Sequence, residues 1–88
     1  MKLTVLGCWA PYPRAGGACS GYLLQEAGLN ILLEAGSGSL SRLMSVIDFR
    51  RLDAVIVTHL HHDHYSDLFV LRYALEGARR DGSRGRPL

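Results

Sequence analysis

Apolar positions along this chain come in short runs whose period changes, and the changes mark the elements. Residues 1–7 (MKLTVLG) alternate weakly, with Leu3, Val5 and Gly7 opposed to Thr4 and Leu6, and read as a first strand stopped by glycine. From residue 8 to residue 21 the composition turns to Pro11, Pro13, Gly16, Gly17 and Gly21, with Trp9, Tyr12 and Arg14 interspersed, which predicts one long loop. Two short apolar runs follow, residues 21–26 and 30–34, and Ala27-Gly28-Leu29 between them predicts a β-hairpin. Leu40, Leu43, Met44 and Ile47 then fall at i, i+3, i+4 and i+7, one face of a helix that Ser37 or Ser39 can cap. Residues 48–53 (DFRRLD) read as a polar connection, and residues 54–58 (AVIVT) as a continuous strand buried on both faces. A last helix, opened by Ser66 or Asp67, carries Leu68, Phe69, Leu71, Leu75 and Ala78 and fails at Asp81-Gly82. Residues 83–88 have no periodicity, Pro87 ends any strand or helix there, and the chain holds no internal repeat.

Composition narrows the class. Eighty-eight residues allow one domain at most, burying about two-thirds of the unfolded surface. An apolar fraction of 48% with 20% charged residues belongs to a soluble globular chain rather than a disordered one. No apolar run approaches the ~20 residues of a membrane span and the amino terminus lacks a secretory pattern, so the cytoplasm is the expected compartment. Cys8 and Cys19 are too few for a disulfide framework or a zinc ribbon and read as small buried or loop thiols. The net charge of +2 is uneven: residues 1–48 balance, whereas Arg79, Arg80, Arg84 and Arg86 against Asp81 give residues 79–88 a charge of +3. That end is expected to be a flexible, basic tail, solvated or able to meet phosphates.

The candidate chemistry sits between the last strand and the last helix, where all four histidines fall within residues 59–64 (HLHHDH). If the preceding run is a strand, His59 and His61 leave on one face with backbones roughly 6.6 Å apart, close enough to share a metal. Asp63 and His64 follow where the chain must leave the strand, so a carboxylate and a third imidazole can swing in from a loop. Imidazole with carboxylate suits zinc or another late first-row ion and argues against calcium or magnesium. A histidine-rich tract can also be a solvated loop or an incidental metal trap, but such a tract has no reason to follow a buried strand. Gly36-Ser37-Gly38 before a helix suggests a phosphate cradle, yet it lacks the lysine of a P-loop.

At His59-x-His61-x-Asp63-His64 the chain resembles the metallo-β-lactamase-fold hydrolases, whose signature is this spacing directly after a buried apolar strand. Residues 4–7 (TVLG), the Pro- and Gly-bearing loop to Ser20, the pair Leu23-Leu24 and residues 33–38 (LEAGSG) look most like the ribonuclease-Z-like members. Two departures stand out: the family typically ends the second of these strands in Asp where this chain has Glu34, and places Gly after the motif where this chain has Tyr65. The resemblance implies an α/β chain forming the first half of a four-layer αββα sandwich, one mostly β sheet with two helices, and so the amino-terminal part (1–88) of a single, incomplete domain.

By that resemblance His59 and His61 bind a first zinc, and Asp63 and His64 a second, with manganese or iron as alternatives. Asp63 also orients the attacking water or shuttles its proton. The implied reaction of the complete protein is hydrolysis of phosphodiesters, nucleic acid or nucleotide. The alternatives are a catalytically inert metal-binding fragment, since the remaining ligands are absent after His64, and a thioester or β-lactam hydrolase of the same fold. A missing second half would leave apolar surface exposed or paired with another chain, as a homo-oligomer or with that half. Glu34 would support the metal ligands.

Overall fold

The computed structural model describes residues 1–86 and 88; the stop expected at Pro87 lies outside the described residues. Strands β1 (Lys2–Gly7), β2 (Gly21–Glu26) and β3 (Leu29–Leu33) run antiparallel in turn, and β4 (Ala54–Ile56) joins β3 in parallel, giving the order β1-β2-β3-β4. The β2–β3 turn is Ala27-Gly28, both at positive φ (51° and 83°), the backbone that a tight two-residue hairpin needs. A parallel partner for β3 requires a crossover. The crossover runs through α1 (Ser39–Met44) and a 3₁₀ turn (Phe49–Arg51), and α2 (His62–Arg80) follows β4.

Cross-strand register assigns the two faces of the sheet. Thr4, Leu23, Leu32 and Val55 lie side by side, and Leu6, Leu23, Leu32 and Val55 pack with Leu40, Leu43, Phe49, Leu52, Leu71 and Ala78 into the core under the helices. The opposite face carries two apolar rows, Leu3–Leu24–Ile31–Ala54 and Val5–Tyr22–Leu33–Ile56, which no helix among the described residues covers. Leu3, Val5 and Ile56 are at least half exposed there. This corrects the reading of the last strand as buried on both faces: it is three residues long, and only the Val55 side is packed. The polar reading of residues 48–53 is corrected too, because Phe49 and Leu52 are core residues.

Both helix starts differ from the sequence-based expectation, for one reason: their end groups are satisfied from far along the chain. Neither Ser37 nor Ser39 caps α1; Gly38 is its N-cap residue, and Asp67 of α2 accepts from the Leu40 amide at 2.9 Å. α2 begins at His62 rather than at Ser66 or Asp67, with Asp63 in its first turn, where a carboxylate complements the helix dipole. Ala35 fixes that start, donating to the His64 carbonyl at 2.7 Å and accepting from the Asp67 amide at 2.8 Å.

At the other end of α2, Arg79 and Arg80 close the helix and Gly82 (φ 80°) turns the chain. Arg84 is buried and donates to the carbonyls of Arg50 and Leu52 at 2.6 and 2.7 Å, and Arg86 reaches Asp53 at 2.6 Å. The Asn30 amide and then the Arg86 guanidinium hold the Asp53 carboxyl below the usual carboxylate range. The folded state therefore binds this proton less tightly than the unfolded one. The resulting stabilisation is complete above the ordinary value of about 3.9 and disappears as pH falls through the lowered folded value. Thermal unfolding followed by circular dichroism down the acid range should show a steeper loss for the wild type than for Asp53→Asn. Equal slopes would mean that Asp53 is not a source of acid sensitivity.

Candidate metal centre

The site lies at the carboxyl ends of the parallel pair β3 and β4. Glu34 directly follows β3 and Thr58 lies two residues beyond β4, and the Glu34 amide bonds the Ile56 carbonyl at 2.8 Å, which brings the two ends together. Glu34 takes a left-handed φ of 65°, which turns its side chain away from the strand's alternation. Its Oε1 accepts from the Thr58 amide at 3.1 Å and its Oε2 lies 2.9 Å from His64 Nδ1. Burial works to raise its pKa, but hydrogen bonds from the hydroxyl and amide of Thr58 and from His64 outweigh it and hold the carboxyl below its ordinary range. Glu34 is thus a buried, ionised acceptor facing the histidine tract.

The structure gathers three of the four histidines. The His59 ring centre is 4.7 Å from that of His61 and 4.0 Å from that of His64. The expected two-residue alternation on a strand is not what achieves this, because β4 ends at Ile56 and His59 follows in a bend. Asp63 and His64 come from the first turn of α2 rather than from a loop. Asp63 is buried, and its Oδ2 stands 3.3 Å from His64 Nε2. Two donors on one tetrahedral zinc, at about 2.0–2.2 Å each, are separated by roughly 3.4 Å. Among the described residues no three His, Cys, Asp or Glu side chains already surround one point, so the donors stand as neighbours rather than as a closed shell. In donor chemistry, and in the Asp63–His64 spacing, the set fits a borderline divalent ion.

The support behind the donors is of the kind that metal-binding histidines use. A carboxylate only accepts, so His64 Nδ1 carries the proton toward Glu34, and Nε2 is left with its lone pair facing Asp63. Thr58 Oγ1 lies 2.9 Å from His59 Nδ1, which engages that ring nitrogen and leaves His59 Nε2 as the one without this partner. Thr58 was missed in the sequence, where its only signal is a polar residue closing an apolar run just before the first histidine. His62 points elsewhere, its Nε2 being 3.1 Å from the Pro11 carbonyl oxygen. Cys19 lies close by, but burial, and next the Asp63 charge, push its thiol pKa up, which keeps it out of the thiolate state.

This fold and this histidine tract define a family. The profile of the metallo-beta-lactamase superfamily matches residues 14–77, and the chain belongs to that superfamily. Among curated proteins the chain is 43% identical over 74 residues to the probable metallo-hydrolase YhfI of Bacillus subtilis, covering 84% of this chain and 30% of that protein. The crystal structure of YhfI superposes with a TM-score of 0.83 over 84% of this chain and 31% of that one, at 42% identity. The ribonuclease Z of Mycolicibacterium gilvum is 35% identical over 69 residues, 77% of this chain and 24% of that protein. The short form of human tRNase Z superposes with a TM-score of 0.75 at 33% identity, over 81% of this chain and 28% of that one. The chain therefore spans less than a third of the length of these relatives, and what it forms is the amino-terminal part of their fold. Superfamily membership implies a divalent metal. No helix among the described residues is long and apolar enough to cross a membrane.

Proposed function

We propose that the complete domain is a dinuclear zinc hydrolase of phosphodiesters, nucleic acid or nucleotide. The observation that carries this reading is the Glu34–His64–Asp63 line, 2.9 Å and then 3.3 Å, in which a buried carboxylate orients an imidazole toward a second carboxylate. The likeness to proteins named ribonuclease Z and tRNase Z supports the substrate class. In this reading His59 and His61 hold one ion, and Asp63 and His64 hold the other. When bound, the ions supply a water of lowered pKa and positive charge for the phosphoryl oxygens.

The protein's own part is orientation and proton handling. Glu34 and Thr58 fix which ring nitrogen of His64 and His59 faces the centre. Asp63 is the catalytic residue: it orients the attacking water and takes its proton on the carboxylate oxygen turned away from His64. The open apolar face of the sheet is where a second sheet lies in the complete sandwich. Hydrolysis of bis-p-nitrophenyl phosphate by the zinc-loaded complete domain tests the reading. Turnover that disappears in His61→Ala, with the circular dichroism spectrum unchanged, is the expected result. Zinc-loaded protein without turnover would leave an inert metal-binding segment instead.

A further inference from the structure

His62 stands between two proposed ligands, begins α2, and spends a ring nitrogen on a residue 51 positions earlier. A carbonyl oxygen only accepts, so Nε2 of His62 is the donor to Pro11 whether the ring is neutral or charged. Pro11 lies in the loop of residues 8–20, which is closed at its base by backbone bonds. Trp9 donates to Ala18 at 3.1 Å, Gly17 to Arg14 at 2.9 Å, and Cys19 to Ser37 at 2.9 Å. The Arg42 guanidinium also bonds the Gly16 carbonyl. Those bonds flank residues 10–13, and the His62 ring meets that stretch in its middle. The loop exposes Tyr12 (74%) and Trp9 (42%), and the Arg14 guanidinium lies over the Trp9 ring at 5.6 Å.

We propose that His62 is a positioning residue that couples this loop to the metal-binding segment. If His61 settles on one ion and Asp63 and His64 on the other, the ring between them carries Pro11 along. The aromatic and cationic groups of residues 9–14 take their place in response. Residue 62 thereby has a role that neither ligand spacing nor helix formation requires of it. The inference rests on the reading of residues 59–64 as the metal segment.

Trp9 is the only tryptophan in the chain, so its fluorescence reports on the loop directly. Zinc alone is the probe, its binding measured separately by competition with a chromogenic chelator. In the wild type, zinc should change Trp9 emission and lower its quenching by acrylamide. His62→Ala should bind zinc with unchanged affinity and lose that response, and its metal-free Trp9 should be quenched more readily, by about twofold, the ratio that a weak net hydrogen bond sets. His62→Gln, whose amide can still donate to Pro11, should restore the response. His62 is exposed, and circular dichroism confirms that each variant is folded. Zinc binding with the same Trp9 response in His62→Ala as in the wild type overturns the coupling alone. Absence of zinc binding in the wild type overturns the metal reading and the coupling together.

Discussion

An alanine at position 36 is expected to unseat the whole candidate centre. A methyl group there would run into the Asp63 carbonyl oxygen and stand 2.7 Å from Cys19 Cβ and 2.9 Å from the Ser20 amide nitrogen. None of these is a flexible tip. The glycine lets three segments touch: the turn after β3, the end of the long loop and the first turn of α2. Overpacking that forces backbone to shift costs about 1–3 kcal/mol, occasionally more. Here the movement falls on the residue proposed to bind metal and handle the proton. Gly36→Ala should lower the unfolding midpoint in denaturant and abolish zinc binding in a chelator competition. Retention of wild-type zinc affinity would show that the contact of residue 36 with α2 does not position Asp63.

Glu34→Gln should weaken metal binding by about 10- to 100-fold, the range for a lost partner behind a liganding histidine. Both Glu34 oxygens accept, one from the Thr58 amide and the other from His64 Nδ1. A glutamine has one oxygen and one NH₂, so it must turn a donor toward a donor at one of the two places. It also removes the negative charge that favours the His64 orientation. Left-handed backbone at residue 34 is unchanged by the swap, so the effect isolates the carboxylate. Zinc affinity equal to the wild type would remove Glu34 from the centre and leave it as an anchor for the β4 end.

What the sequence disclosed and what it withheld divide along the range of the interactions. The β2–β3 hairpin was legible because Gly28 encodes its own turn. The stop of α2 at Asp81-Gly82 is likewise local. The start of α2 was not, because no side chain of His61 caps it and the bonds that set it come from Ala35. The cap of α1 is not legible locally, because the carboxylate that accepts from its Leu40 amide, Asp67, is 27 positions away. The periodicity of β1 and β4 could not say which side was inside, since both faces of this sheet are apolar. In the candidate centre, the donor residues were legible as a spacing. Their grouping was expected from strand alternation and a loop, but the contacts that hold it are those of Glu34 and Thr58, which join residues 24 positions apart.

The open face of the sheet has a thermodynamic consequence. Apolar rows running the width of four strands mean that anything laid upon them contributes its binding free energy to the folded state. The rigidity of the strand ends that carry Glu34 and Thr58 then follows the concentration, or the tethering, of whatever provides the cover. A measured metal affinity for these histidines is accordingly a property of the covered sheet, and it should rise with occupancy of a surface that contains none of the proposed ligands.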